Sequence, residues 1–319
     1  MADTELFRNG QARHPEPSRN GQARHPEPSR NGQARHPEPS RNGHTPLAPL
    51  INMAAREGEV IQRLSLSGKV ALITGASSGI GAGTAILFAR LGVRLALNGR
   101  NVENLHKVGK ECEDVGTSAP LLLPGDLTDE ASVNKVIEET VRCYGQLDVL
   151  VNSAGILLLG TIETTTMEQF DHIMNVNVRS IYHLTRLAVP HLIQTKGCIV
   201  NVSSVNGQRS FPGVVAYCMS KSALDQFTRC LALDLAPKEV RVNAVSPGVI
   251  ITEIHKRAGL NEGDYHEFLK KCKVTHALGR PGQVDEVAQA IAFLASDAAS
   301  FITGVTLPVD GGRHAMCPR

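Results

Sequence analysis

From Leu64 onward, short apolar and β-branched runs alternate with longer amphipathic stretches whose apolar positions recur at helical spacing. The short runs predict strands over 69–74, 93–98, 120–124, 147–152, 197–203, 240–246 and 305–309. The longer stretches predict helices over 79–91, 101–115, 128–143, 166–194, 214–236 and 283–296. This alternation implies an α/β domain, a doubly wound, seven-stranded, mostly parallel sheet covered by helices on both faces. Ligands of such sheets bind beyond the carboxyl ends of the strands. Residues that follow the predicted strands are therefore the first candidates for chemistry.

Before Leu64 the pattern fails. Residues 8–40 are three copies of RNGQARHPEPS, and a fourth begins at 41–44. Each copy carries two prolines, a glycine and no large apolar residue, so it buries no core and reads as a disordered tail over 1–60 or as an interaction array. His14, His25 and His36 recur without forming a preorganised metal site, and Glu16, Glu27 and Glu38 argue against a mitochondrial transit peptide, though a mitochondrial location stays open. The folded domain is expected over 64–312, followed by a short tail at 313–319.

Composition narrows the function classes. A net charge of +2, no Trp and 4 % aromatic residues are unlike a nucleic-acid binder. No apolar run reaches the roughly 18 residues of a membrane span, and no secretory leader is evident, so a cytoplasmic protein without a membrane is expected. The seven cysteines are scattered and never spaced Cys-x-x-Cys, which reads as reduced, structural thiols with no zinc framework. Cys218 is read as a small helix residue.

TGASSGIG (74–81) joins the first predicted strand to the first helix. Gly75 would allow the tight turn, Gly79 the approach of backbone to a phosphate, and Gly81 close packing, with the helix amides attracting a pyrophosphate. The spacing Gly-x-x-x-Gly-x-Gly differs from the common Gly-x-Gly-x-x-Gly, and its position favours a dinucleotide over a structural loop. ALNGRN (96–101), after the second strand, lacks the acid that would hold a ribose 2′-hydroxyl and offers Arg100 instead. A guanidinium there suits a 2′-phosphate, which favours NADP(H) over NAD(H); the alternative is a solvated arginine opening the next helix.

YCMSK (217–221) sets a phenol and an ammonium at i, i+4 on one helix face, along a stripe continued by Leu224, Phe227, Leu231 and Leu235 until Pro237. A carbonyl that accepts a hydride needs a proton donor, and the reverse reaction needs a base. Tyr217 serves both if its pKa falls, and an ammonium about 4 Å away would lower it by ~3 units before desolvation is counted.

In order along the chain stand TGASSGIG, GDLTD (125–129), NSAG (152–155), NVNVRS (175–180), NVSSVNG (201–207), YCMSK and SPG (246–248). This series resembles the short-chain dehydrogenase/reductase family over about residues 64–312, in its short single-domain branch, and is similar in general look to 3-oxoacyl-carrier-protein reductases. The resemblance implies a Rossmann-like fold and interconversion of a carbonyl and a secondary alcohol. It implies catalytic roles for Asn177, Ser204, Tyr217 and Lys221. Ser204 would donate to the substrate oxygen, Asn177 would position a water joined to Lys221, and Lys221 would hold the nicotinamide ribose. Cofactor contacts would come from Ser77, Ser78 and Ile80 in the glycine loop, from Asp126 and Leu127 near the adenine, and from Asn152, Ala154 and Gly155. Pro247, Gly248, Val249 and Thr252 would approach the nicotinamide end, where Tyr217 and Lys221 also contact it.

Ser153 departs from the usual Asn-Asn-Ala-Gly, which bears on a structural hydrogen bond. Ser203 is expected to face away from Ser204's side of the strand end, and the following VRS favours Asn177 over Asn175. Tyr182 and Arg186 repeat the Tyr217–Lys221 spacing, but Gln169 stands thirteen residues before Tyr182 where Ser204 precedes Tyr217, so that pair reads as structural.

For the substrate, ILLLG (156–160) and SFPGV (210–214) suit apolar walls for an aliphatic, steroid-like or quinone-like molecule, or belong to the core. Residues 253–275 are polar and long enough for a mobile lid, with Lys270, Lys271 and Lys273 either attracting an acidic substrate or solvated. By resemblance, the helices at 166–194 and 214–236 would build a homotetramer or homodimer, and PVDGG (308–312) would pack near the carboxyl terminus. A catalytically silent dinucleotide sensor or scaffold is the alternative from another class. A longer-branch epimerase or dehydratase is opposed by the glycine spacing.

Overall fold

The computed structural model describes residues 63–317, so the reading of residues 1–60 as a tail lies outside the described residues. Seven strands form one sheet in the order β3-β2-β1-β4-β5-β6-β7. They are β1 (Val70–Ile73), β2 (Arg94–Gly99), β3 (Leu121–Pro124), β4 (Val149–Asn152), β5 (Cys198–Val202), β6 (Arg241–Pro247) and β7 (Thr306–Val309). Every pairing is parallel, where the sequence pattern predicts a mostly parallel sheet. The order reverses between β1 and β4, the switch point where the loops after neighbouring strands diverge and open a crevice.

Strand alternation divides the core into two layers. Ala71, Ile73, Val149, Val151 and Val200 point to one face, where Phe88 and Ala85 of α1 (Gly79–Arg90) meet Leu105 of α2 (Val102–Val115) and Ile291 of α9 (Val284–Ala295). Val70, Leu72, Leu150 and Ile199 point to the other. There they meet Val133 of α3 (Glu130–Tyr144), Leu184 and Leu192 of α5 (Ser180–Thr195), and Leu235 of α6 (Val215–Leu235). Each fully buried leucine or isoleucine contributes about 2 kcal/mol of transfer free energy, which makes the sheet a rigid base for its loops.

Local signals set the helix starts. Asn101 accepts from Asn104 N at 2.8 Å to open α2, and Asp129 accepts from Ser132 N at 2.9 Å to open α3. Thr166 and Gln169 form a capping box on α4 (Met167–Met174). α1 differs, because Ser78 at its start makes no side-chain cap.

The structure departs from the sequence reading over 166–194 and 313–316, and gives form to 253–275. The helix predicted over 166–194 is α4, a π-helical turn (Asn175–Arg179) and α5. Ser180 N bonds Asn175 O, so one extra residue is inserted into the ladder. The polar segment 253–275 folds as α7 (Ile254–Arg257) and α8 (Glu262–Thr275), with Tyr265 Oη donating to Thr252 O at 3.0 Å. Residues 313–316, expected in a tail, are tied to the domain: Arg209 donates to His314 O at 2.7 Å and to Met316 O at 3.1 Å. All seven cysteines are free thiols, and no described helix is long and apolar enough to cross a membrane.

Candidate active site

A cavity of about 860 Å³ runs along the carboxyl ends of the strands, from the loops after β1, β2 and β3 to the loops after β5 and β6. At one end lies the glycine loop. Gly75 and Gly79 adopt positive φ (63° and 56°), and a Cβ on Gly75 would stand 2.9 Å from the Ala154 backbone. A Cβ on Gly81 would fall 2.4 Å from Gly75 O, so Gly81 lets α1 close on the loop and does not itself line the cavity. Since Ser78 leaves the first amides of α1 without a side-chain cap, that helix end presents free donors to an anion, as a dinucleotide pyrophosphate requires. The residues present fit such a group.

Ser77, Ser78, Ile80, Leu127, Ala154 and Gly155 line this cavity, as do Pro247, Gly248, Val249 and Thr252. Arg100 and Asp126, from the ends of β2 and β3, line it too and pair with each other, Nη1 to Oδ2 at 3.7 Å. The sequence reading places no carboxylate against Arg100, but the register Gly99↔Pro124 carries Asp126 beside it. Asp126 Oδ1 accepts from Thr128 N and Oγ1, both at 2.9 Å. Burial raises the Asp126 carboxyl, but these bonds and the Arg100 charge prevail and hold it below the usual carboxylate range. Across the cleft, Arg257 of α7 donates to Ser78 Oγ at 3.1 Å.

Asn152 lies outside the cavity wall, although the sequence reading sets it beside a cofactor. Fully buried, it donates to Thr185 Oγ1 (3.1 Å) and Asn201 Oδ1 (2.9 Å), tying β4 to β5 and α5. The loop after β4 is held instead by Thr74 Oγ1, which accepts from Ser153 N and Ala154 N at 3.0 Å each. Backbone donors therefore make the contact that the Ser153 departure leaves open in the sequence.

At the other end, α6 and the end of β5 bring Tyr217, Lys221 and Ser204 to the same cavity. All three are buried, at 9 %, 5 % and 7 % exposure. Lys221 Nζ donates to Val202 O at 2.9 Å and stands 5.8 Å from the centroid of the Tyr217 ring. Burial pushes the Tyr217 phenol up to about 12, while the Ser204 hydroxyl acts in the opposite direction. Burial pulls the Lys221 ammonium down to about 8, opposed by the Asp225 carboxylate. The lowering of the phenol expected from the Tyr217–Lys221 spacing is thus absent, because the ammonium serves a backbone carbonyl and desolvation dominates the phenol.

Ser204 accepts from Asn206 N at 3.2 Å and opens a 3₁₀ turn, while Ser203 directs its hydroxyl to Lys221 O at 3.4 Å, away from Ser204's role. Asn177 is fully buried beneath the wall and is not part of it. Its Oδ1 accepts from Ile156 N at 2.8 Å, and its Nδ2 donates to Ile156 O at 2.9 Å and Ser220 Oγ at 3.0 Å. The π-helical turn aims it there. A Cβ on Gly155 would lie 3.3 Å from Asn177 Oδ1 and 3.5 Å from Lys221 Nζ, so both polar atoms flank the same glycine. Beyond Tyr217 the wall is largely apolar, with Leu157, Leu159, Phe211, Val214, Ile254 and Phe268, and Glu253, His255 and Arg313 also line the cavity. Lys270, Lys271 and Lys273 do not line it.

A family profile described as Enoyl-(Acyl carrier protein) reductase matches residues 75–314. The chain is 41 % identical over 251 residues to the 3-oxoacyl-[acyl-carrier-protein] reductase FabG of Thermotoga maritima, covering 78 % of this chain and 99 % of that one. The chain belongs to the short-chain dehydrogenase/reductase family. It is also 40 % identical to a cyclopentanol dehydrogenase of Comamonas testosteroni, covering 77 % of this chain and 97 % of that one. A crystal structure of a short-chain type dehydrogenase/reductase from Mycobacterium marinum superposes with a TM-score of 0.74 at 33 % identity, covering 81 % of this chain and all of that one. Short-chain dehydrogenase/reductases use a nicotinamide dinucleotide to act on carbonyl and alcohol substrates.

Several cavity residues of this short-chain dehydrogenase/reductase escape sequence reasoning. Asn98 is one: its amide donates to Leu123 O (2.9 Å) and Gly125 O (3.3 Å) and ties the loop after β3 to β2. Asn206, His255, Arg257 and Arg313 are others. The only sequence signal is polarity in segments next to predicted strand ends or at the carboxyl terminus, which solvated residues share.

Proposed function

We propose that this protein is an NADP(H)-dependent oxidoreductase that interconverts a carbonyl and a secondary alcohol. What carries the reading is the meeting of Tyr217, Ser204 and Lys221 in the cavity that also holds the glycine loop. The bound cofactor supplies or accepts the hydride. Ser204 donates a hydrogen bond to the substrate oxygen, and Tyr217 gives that oxygen its proton as the carbonyl becomes an alcohol. A phenol pushed up to about 12 is fully protonated at neutral pH, which suits reduction. Lys221, held by Val202 O, keeps a positive charge beside the phenol and meets the nicotinamide ribose. Asn177 fixes the Ile156 backbone through its N–H and carbonyl and positions a water joined to Lys221.

Arg100 favours NADP(H), with its fork turning from Asp126 to a 2′-phosphate. Tyr182, Met219 and Leu233 are exposed apolar residues of α5 and α6 and support a homodimer or homotetramer built on these helices. Free thiols throughout fit a reducing, cytoplasmic setting. A panel of ketones and secondary alcohols read by NADPH and NADH absorbance tests the proposal. Turnover with NADPH exceeding that with NADH is the expected result; cofactor binding without turnover of any panel member would instead support the silent sensor.

A further inference from the structure

Four basic side chains line the cavity: Arg100, Lys221, Arg257 and Arg313. Three have partners within the protein. Arg100 faces Asp126, Lys221 donates to Val202 O, and Arg257 donates to Ser78 Oγ. Arg313 has neither an ion pair nor a side-chain hydrogen bond among the described residues. Its guanidinium lies over the Phe211 ring, 4.4 Å from the centroid, on the apolar part of the wall. A nearby carboxylate, Asp310, is committed elsewhere: it accepts from Gly312 N at 3.0 Å, His314 N at 2.6 Å and His314 Nδ1 at 3.0 Å.

The segment does not need the Arg313 head for its own anchoring. Arg209 and Asp310 already fix residues 312–316 through backbone groups. A planar guanidinium stacked on an aromatic face keeps its fork of N–H donors free at the edge, a geometry that matches a carboxylate. Beside it stands His255, pulled down to about 4 by burial and by the Arg313 charge, and so neutral at pH 7. Its Nδ1 is buried without a hydrogen-bond partner, although the residue lines the cavity. A half-buried arginine and an unpartnered imidazole form a polar patch beside Phe211, Ile254 and Phe268, where the one carboxylate that also lines the cavity in this segment, Glu253, faces Lys256.

We propose that the substrate is an oxo or hydroxy acid with an apolar body, whose carboxylate is held by Arg313 while its reacting carbon lies at Tyr217 and Ser204. The substrate class rests on the oxidoreductase reading above; the carboxylate site itself does not. The apolar walls at 156–160 and 210–214 then take the carbon chain, and selectivity for an acid comes from Arg313 and not from the surface lysines of α8.

Two measurements separate the site from the chemistry. In the first, octanoate and octanamide are titrated into the full chain and followed by ligand-observed NMR. Octanoate should bind at least about tenfold more tightly, with the preference lost in Arg313→Gln and partly kept in Arg313→Lys. Equal binding of the two probes to the unaltered protein, or binding of neither, overturns the proposal without reference to any variant. In the second, a homologous series of methyl-keto acids starting at levulinate is compared with the matching primary amides in NADPH turnover. A kcat/KM ratio of acid to amide above about ten, falling toward one in Arg313→Gln, supports the substrate class. A ratio near one in the unaltered enzyme overturns it. Octanoate binding intact while no ketone of either series turns over leaves the carboxylate site standing and refutes the hydride-transfer reading.

Discussion

Arg100→Ala separates the two cofactors most sharply. The guanidinium has 58 % side-chain exposure and sits 3.7 Å from Asp126 Oδ2. A unit charge about 4 Å from a phosphate oxygen is worth about 1 kcal/mol in water and about 4 kcal/mol near a protein surface of lower dielectric. Exposure places Arg100 toward the smaller figure, and the competing Asp126 carboxylate reduces it further, while a charge-assisted fork adds to it. Together these give about 1–2 kcal/mol, or about a 5- to 30-fold weaker Kd for NADPH. NADH carries a hydroxyl at that position, so its Kd should change less than about twofold. Calorimetric titration of both cofactors into both proteins measures this, and raised salt should shrink the NADPH effect. Asp126→Asn provides the complement: it removes the competing charge, keeps an oxygen for Thr128, and should tighten NADPH binding. Equal factors for NADPH and NADH on Arg100→Ala would refute the 2′-phosphate role and leave Arg100 as a loop residue beside the Asn101 cap.

Other outcomes follow from the same structure. Gly81→Ala should destabilise the fold by about 1–3 kcal/mol and weaken both cofactors, since its Cβ would meet Gly75 O at 2.4 Å; an unchanged melting temperature would contradict the packing. Asp225 is buried with neither carboxylate oxygen hydrogen-bonded, and burial raises its pKa. Its folded form therefore holds a proton more tightly than the unfolded chain, so its cost to stability is full above the folded pKa and vanishes as pH falls below the unfolded value. Asp225→Asn should raise the melting temperature at pH 7 by a few degrees and not in acid, and a gain that persists in acid would refute this. With the Tyr217 phenol up at about 12, alcohol oxidation, which needs the phenolate, should rise with pH across the alkaline range; a pH-independent oxidation rate would refute that assignment.

Features set by local constraints were legible in the sequence. The glycine loop was readable because Gly75 answers to the positive φ of its own turn and Gly81 to the Gly75 carbonyl in the same loop. The strands were readable because both faces of β1 and β4 are buried, leaving uninterrupted apolar runs. The π-helical turn was not, since one inserted residue leaves the apolar spacing through Val176, Ile181 and Leu184 nearly intact. Nor was the Arg100–Asp126 pair, which depends on the register of β2 against β3. Spacing places Tyr217 and Lys221 on one helix face, but it could not show that Lys221 donates to Val202 O across to β5. Arg313 was hidden for the same reason: its neighbour Phe211 is far away in sequence.

Tyr217→Phe tests the central claim most directly. The ring keeps its place in the cluster with Leu157, Ile173 and Ala216, and only the hydroxyl is lost. Turnover should fall by about 10²–10⁴-fold while the NADPH Kd stays within about twofold. Turnover that survives, or a loss of NADPH binding that accounts for the whole loss of activity, would contradict Tyr217 as the proton donor.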